Sequence, residues 1–475
     1  MLTRLKVSGF KNLVDVDVRF GPFTCIAGAN GVGKSNLFDA IRFLSALADR
    51  PLVDAAESVR GGFRNLFHRV GSMITQEMSF EAEMLIPSIG RDDLGQPASA
   101  TSTLLRYKLR LAYTPDGTLP LEVLEERLEP LNRDSLRFPH QRKWVDSISV
   151  LSRRRNPYIH TEIDETTGER VVYLHLDGVS GRRPQPLAAH VLPRTVLSVA
   201  NAATAPTAVL ARQEMRSWWT LGLELSALRQ PDNVYEVNAR LDSEGTHLPA
   251  TLYRLQQQAG ENRVFPELVI ELAELLPDVR AVTVDRDEKR GLITLLVMNK
   301  DGTWLPATSL SDGTLRFLAF AAMSLDPDTS GVLCIEEPEN GLHPRRIPVV
   351  VELLQRIAVD VQLPVDQDNP LRQVIVNTHS PLVVQQMPAD NLLFAELVEN
   401  NTSAQGRFKT VQFSNLPDTW RTTEDRSRMV AKGDLLPYVN PVPFAHYESK
   451  ALQRLIDRDD IQRLLQPLEF EVDFE

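Results

Sequence analysis

The stretch Gly28-Ala29-Asn30-Gly31-Val32-Gly33-Lys34-Ser35 has the spacing GxxxxGK[ST], and its context decides the fold. A short apolar run, Phe23 to Ala27, comes before it, and a helix-like apolar pattern from Asn36 to Leu47 follows it. A strand, this loop and a helix in that order form a phosphate-binding loop. The glycines let backbone N–H groups curl around phosphate oxygens, and the helix N-terminus adds its partial positive charge. Gly28, Asn30, Gly31, Gly33 and Asn36 then line a nucleotide's phosphates, Lys34 reaches the β- and γ-phosphates, and the Ser35 hydroxyl ligates Mg²⁺. The expectation is an α/β protein with a P-loop NTPase core that uses ATP and Mg²⁺.

Length and composition set the frame around that loop. The chain has 475 residues, and at roughly 150 residues per domain two or three lobes are expected. An apolar fraction of 43% with 24% charged residues is that of an ordinary globular protein. No apolar run approaches the roughly 20 residues of a membrane span. The opening MLTRLKVSGF lacks the apolar core of a signal peptide, so a cytoplasmic protein without a membrane partner is expected. Cys25 and Cys334 each sit in an apolar strand-like run and read as buried, reduced thiols. A net charge of −11 argues against a surface coated by nucleic acid, but leaves room for a local basic groove.

Along the chain, Leu2 to Val7 and Val14 to Phe20 read as strands around the turn-like Phe10-Lys11-Asn12. The next recognisable chemistry lies near Ser309. So much intervening chain implies a large insertion inside the nucleotide-binding domain. Within it Met78 to Leu85, Leu104 to Tyr113 and Leu121 to Leu128 read as strands, with a turn at Pro115-Asp116-Gly117. A proline-marked, loop-rich segment covers 129–207. Thr207 to Leu228, with Met215, Trp218 and Trp219, reads as helical, as does Pro266 to Leu276, which ends at Pro277. Val279 to Val284 and Leu292 to Met298 read as strands returning to the main sheet. The domain reading is therefore a discontinuous ATPase domain over 1–90 and 280–400, an inserted β-rich and then helical region over 91–279, and an extension over 401–475. Sustained heptads, CxxC pairs and internal repeats do not occur in the insertion.

Three further segments appear in order. Val332-Leu333-Cys334-Ile335-Glu336-Glu337 is an apolar strand ending in two carboxylates, a Walker B arrangement. There the first acid, Glu336, holds the Mg²⁺ shell directly or through water, standing where Asp is more usual. The second, Glu337, polarises the attacking water. Two exposed acids closing a strand are common on their own; the matched phosphate loop upstream is what gives them a role. Leu310-Ser311-Asp312-Gly313-Thr314 opens an apolar helix from Leu315 to Met323, which taken alone is also an ordinary Ser-capped start. A strand from Gln373 to Asn377 ends in Thr378-His379-Ser380-Pro381. His379 is placed either to hydrogen-bond the γ-phosphate or the attacking water, or to be a capped surface histidine.

LSDGT resembles the signature motif of ABC-type ATPases, LSGGQ in its usual form. The runs EEPENGLHP and NTHSP resemble the ABC-type, RecF- and OLD-like branch of the AAA-family ATPases, as do GFKNL near the N-terminus and Asp242-Ser243-Glu244-Gly245-Thr246-His247-Leu248. In that group the position of His247 is more often Asn. The motifs cover 1–45 and 300–385 strongly and 235–255 weakly. The resemblance implies an α/β fold, an ABC-type P-loop NTPase core with a large mixed α+β insertion. It also implies a homodimer or higher homo-oligomer whose active sites are composite. Each would join Gly28–Ser35, Glu336, Glu337 and His379 of one chain to Ser311, Asp312 and Gly313 of the other. Bound ATP would hold the two together, and hydrolysis would release them. Lys11, by its place in GFKNL, either approaches the nucleotide or is a solvated turn lysine.

OLD-like nucleases carry a metal-binding Toprim acid set after the ATPase, and no such set follows His379 here. Asp457-Arg458-Asp459-Asp460 reads as the solvated face of an amphipathic helix. Arg142-Lys143, Arg153-Arg154-Arg155 and Arg182-Arg183 are either surface-loop charge or a phosphate-contacting patch. Two functions fit these features. One is the sensor ATPase of a bacterial anti-phage defence or toxin-type module, acting with a separate effector nuclease or toxin. The other is a RecF-like repair ATPase that binds DNA directly.

Overall fold

The computed structural model describes residues 1–114, 120–150, 154, 156–177, 185–236, 239–259, 264–275, 278–402, 406–422 and 429. The turn at Pro115–Gly117, Pro277, Arg153, Arg155, Arg182, Arg183 and the segment around Asp457–Asp460 lie outside those residues.

A six-stranded sheet carries the phosphate loop. Its order is Trp218–Leu221, Gly331–Glu336, Arg372–Thr378, Phe23–Ala27, Leu392–Thr402 and Gly406–Asn415. The first five strands run parallel, and the last pairs antiparallel at the edge. FTCIA and GVLCI are wholly buried, as continuous apolar strands covered on both faces must be. Cys25 and Cys334 lie in these two strands as buried free thiols. Burial pushes both above the ordinary thiol value.

The helix Lys34–Leu47 leaves the loop and lies between this sheet and a second one. That second sheet has eight strands, in the order Leu187–Ala188, Arg170–Leu174, Ile159–Ile163, Leu121–Pro130, Leu104–Tyr113, Glu77–Leu85, Leu2–Ser8 and Val16–Arg19. All its neighbours are antiparallel. Phe43 of the loop helix packs on it, with ring centroids 5.9 Å from Phe10 and 5.6 Å from Phe80. Thus 104–188, read as insertion, extends the sheet begun by the N-terminal strands. Among its described residues, 129–207 carries the strands Ile159–Ile163, Arg170–Leu174 and Leu187–Ala188 and the short helix Arg142–Ile148, besides turns and loops. Arg154 there stacks on Tyr158 at 4.5 Å and donates to the carbonyls of Asn156, Pro157 and Leu176, so it braces a loop.

Glu126 ties the inserted region to the loop helix. Fully buried, it accepts from the Tyr107 hydroxyl at 3.1 Å and from the Val196 and Leu197 N–H groups at 2.7 and 2.8 Å. The adjacent Thr195 hydroxyl donates to Leu47 O at the end of that helix. Burial pushes the Glu126 carboxyl up to about 7, against the lowering effect of these three hydrogen bonds. A raised carboxyl favours the folded state fully below its unfolded value, near 4.5, and that contribution is lost as pH rises through 7. At about 1.4 kcal/mol per unit the effect is on the order of 3 kcal/mol. Thermal midpoints of Glu126→Gln should therefore fall less between pH 5 and pH 8 than those of the wild type, as followed by circular dichroism.

Two expectations are corrected. The helical pattern over 207–228 breaks: the helix is Pro206–Arg216, and Trp218–Leu221 is the edge strand beside Gly331–Glu336. Aromatic and β-branched residues next to an open strand edge take the ladder, because tertiary pairing outweighs local periodicity. Trp218 still anchors to the helix, its indole N–H donating to Glu214. Nor do 279–298 return to the main sheet. Val279–Asp287 and Leu292–Asn299 pair with each other, and Leu292–Asn299 also pairs with Asp232–Asn233 and Trp304–Pro306 in a separate four-stranded sheet. Asp287 accepts from the N–H groups of Lys289 and Arg290, and Gly291 takes φ +70°, closing a short hairpin. A strand that turns straight back pairs antiparallel with its neighbour, whereas a place in the parallel sheet needs a crossover. The helices Leu248–Ala259, Val264–Leu275 and Asp312–Leu325 share a core with this smaller sheet. No helix among the described residues is long and apolar enough to cross a membrane.

Candidate active site

Parallel register brings the candidate chemistry to one edge. Glu336 lies opposite Asn377, and Thr378 opposite Ala27, so the acids, His379 and the phosphate loop all leave the carboxyl ends of adjacent strands. Ligands of open α/β sheets bind at such an edge. A cavity of about 400 Å³ lies there, lined by Lys11, Asn30, Gly31, Gly33, Lys34, Ser35, Asn36, Asp39, Arg60, Glu336, Glu337 and Asn377.

The loop itself is built for an anion. Gly33 takes φ +111° at the helix start, and a Cβ there would lie 2.4 Å from the Asn12 amide, so only glycine fits. The helix has no side-chain cap and no acid in its first turn, so its N-terminal N–H groups and dipole face the cavity. Asn12 steadies the loop from outside, donating to Val32 O and accepting from the Asn36 side chain. Lys34, 6% exposed, donates to Gly28 O at 2.7 Å and Ala29 O at 2.8 Å. Burial holds its ammonium below the usual lysine range, opposed by the charges of Glu337, Glu339 and Glu336.

Glu337 sits just past its strand at φ +46°, a left-handed conformation that is rare for a glutamate. Its N–H bonds to Asn377, both backbone and side-chain oxygens. One carboxylate oxygen accepts from His379 Nδ1 at 2.9 Å and the other from the Asn340 amide at 2.7 Å. The imidazole and the Asn340 amide therefore hold the Glu337 carboxylate from two sides. Glu339 is buried behind them and accepts from the Thr378 hydroxyl. Burial raises its carboxyl above the usual range despite that bond.

Lys11, which also lines the cavity, is neither solvated nor free. Its ammonium donates to Asp39 at 2.6 Å and to Arg60 O at 2.8 Å. Arg60 reaches Asp39, Ser35 O and, at 3.3 Å, Glu336. Asn12, Asp39, Arg60, Asn340 and Asn377 are thus site residues that sequence reasoning missed. Asp39 carried a readable signal, being a carboxylate on the buried face of a helix, where a charge requires a partner.

ATP and Mg²⁺ fit this arrangement. The buried Asn377 amide nitrogen has no protein partner among the described residues, and Asn377 lines the cavity. An uncapped helix start suits an anion, and Ser35 with Glu336, both lining the cavity, would offer the hydroxyl and carboxylate oxygens that Mg²⁺ takes.

Ser311, Asp312 and Gly313 are not among the residues lining the cavity. Ser311 caps the helix Asp312–Leu325 by accepting from Thr314 N–H, as an ordinary helix start would, and its residue is exposed. Gly313 is buried against Leu342, in the loop that follows the acids. The segment 242–248 closes a turn, with Asp242 accepting from Glu244 and Thr246, before the helix Leu248–Ala259. His247 there takes φ +66°, a conformation in which Asn and His are both enriched. That accounts for the departure from Asn. Asp232, Glu236 and His247 bring donor atoms within 4.8 Å of one another. Asp232 accepts from Ala250 N–H at the start of that helix and from His247, which is a sufficient structural role.

A family described as AAA domain, putative AbiEii toxin, Type IV TA system matches residues 23–88 and 164–385, more than half of the chain. The chain belongs to this family. It is an ABC-type ATPase fold of the RecF-like branch of AAA-domain proteins. The DNA replication and repair protein RecF of Magnetococcus marinus is 34% identical over 119 residues, which is 24% of this chain and 31% of that protein. RecF of Paenarthrobacter aurescens is 31% identical over 170 residues, 36% of this chain and 40% of that protein. The chain thus spans less than half the length of the curated relatives it matches. Among solved structures, an SMC head bound to the C-winged helix domain of ScpA is 13% identical with a TM-score of 0.48, covering 88% of this chain and 98% of that one. The SMC head domain from Thermotoga maritima is 13% identical with a TM-score of 0.37, covering 87% and 99%.

Proposed function

We propose that this AAA-domain protein is an ATP-gated dimeric clamp. In this reading Mg-ATP sits on Gly28–Ser35 of one chain and is completed by Ser311 and Gly313 of a second, in a segment where Asp312 stands in place of the usual glycine and makes no contact with the nucleotide. The observation that carries it is the Glu337–His379–Asn340 unit at the mouth of the phosphate loop. In this reading the Glu337 carboxylate, held by His379 and Asn340, would polarise the water that attacks the γ-phosphate. Mg²⁺, held by Ser35 and Glu336, would neutralise developing phosphate charge. Lys34 would bind the β- and γ-phosphates, and His379 would orient Glu337 and sense the γ-phosphate. Asp39 would hold Lys11 and Arg60 at the rim.

In the cell the clamp would act in the cytoplasm as the ATPase of an anti-phage defence or toxin-type module, with a separate effector nuclease or toxin. The family's description as a putative AbiEii toxin supports that setting. The working division is an ATPase lobe of 1–90 and 280–400, an inserted region of 91–279 that lends strands to both large sheets, and an extension of 401–475 whose strand Gly406–Asn415 closes one edge of the sheet that carries the phosphate loop. A second reading, a RecF-like ATPase that binds DNA directly, is supported by the two RecF relatives. It predicts ATP-dependent DNA retention by the chain alone that falls steeply with salt. The experiment for the clamp is turnover per chain against protein concentration. A site shared between chains gives a rate per chain that rises as dimers form and then levels off. A rate that is constant over a thousandfold dilution, with the mass monomeric throughout, would refute it.

A further inference from the structure

Asp312 places a carboxylate on the first turn of the signature helix, where the usual LSGGQ has glycine. Local helix energetics explain an acid there, since it suits the positive end of the helix dipole. In the clamp, however, that end must meet a partner's triphosphate, and a free carboxylate beside it repels. The structure supplies a counter-charge from another element. Arg229, at the end of the short helix Leu225–Leu228, donates from Nη2 to Asp312 at 2.6 Å and to Leu310 O at 3.2 Å. A dipole interaction with Asp312 needs no such arginine.

The guanidinium grips the motif on both sides of Ser311. Its side chain is 27% exposed and that of Asp312 47%, so the pair lies at the surface where a second chain would dock. Across the helix, Gly313 packs on Leu342 of the loop that follows the acids. The motif is therefore held from two directions while Ser311 stays exposed.

We propose that Arg229 is a positioning residue for the trans half of the site: it neutralises Asp312 and fixes Leu310–Gly313 so that Ser311 and the helix N–H groups can receive the partner's γ-phosphate. This rests on the clamp reading.

The test uses Glu337→Gln as the parent, with dimerisation followed by light scattering during Mg-ATP titration. Adding Arg229→Gln should raise the ATP concentration for half-maximal dimer by about tenfold or more, the effect of one charged hydrogen bond. Adding Asp312→Asn to that variant should bring it back to within about threefold of the parent, because the two residues act as a pair. A scaffold role for Arg229 would not be rescued this way. Binding of a fluorescent ATP analogue at dilutions where every variant is monomeric reports an intact phosphate loop and fold. Independently of how Arg229→Gln folds, Asp312→Asn alone should dimerise at no more ATP than the parent. The inference is overturned if Arg229→Gln titrates like the parent, if the paired variant stays impaired, or if Asp312→Asn alone needs tenfold more ATP. A parent that never dimerises with ATP would overturn the clamp reading and this inference with it; a dimerising parent isolates Arg229.

Discussion

Lys34→Ala is expected to weaken Mg-ATP binding by at least about a hundredfold. Two hydrogen bonds from an ammonium to phosphate oxygens contribute about 1.5–3 kcal/mol each, and about 3 kcal/mol is already two decades in affinity. The ammonium is nearly buried and already lies against the loop, donating to Gly28 O and Ala29 O, so a short swing would bring it to a phosphate. Folding should survive the change. Alanine suits a helix interior, and Leu37, Phe38, Ile41, Phe43 and Leu44 carry the packing of that helix. Isothermal titration calorimetry measures the affinity, and circular dichroism reports the fold. A folded variant with wild-type affinity would show that the loop is not the nucleotide site.

Glu337→Gln should bind ATP normally and lose turnover by about 10²–10⁴-fold, the usual contribution of a positioned general base. The phosphate loop is untouched. The glutamine can still occupy the φ +46° position and keep an acceptor for one of its two donors, His379 or Asn340. It cannot take a proton from water. Phosphate release measured beside the amount of ATP retained on the protein separates the two effects. Normal turnover would remove Glu337 from the base role and shift attention to Glu336.

Much of the site was legible because its members adjoin the elements that place them. Gly28–Ser35 follow a buried strand, Glu336 and Glu337 end another, and His379 ends the strand between them. The parallel sheet then does the assembly. The remaining members arrive through contacts no local pattern encodes. Arg60 lies beyond the loop helix, and its partner Glu336 is distant in sequence. Asn12 stood within the quoted GFKNL run, yet its part comes from packing against Gly33, visible only once the N-terminal sheet and the loop are in contact. Trp218–Leu221 was misread because its periodicity suited the preceding helix, while the vacant edge beside Val332–Ile335 determined its conformation. Arg229 gave no signal until the fold set it against Asp312.

The central claim is that Mg-ATP holds two chains together through a composite site. The mass of Glu337→Gln by light scattering, with and without Mg-ATP, tests it most directly. The expected result is a monomer that doubles in mass with Mg-ATP and returns to monomer when the nucleotide is removed. An unchanged mass in the presence of bound ATP would contradict it and leave the LSDGT segment as a capped helix start.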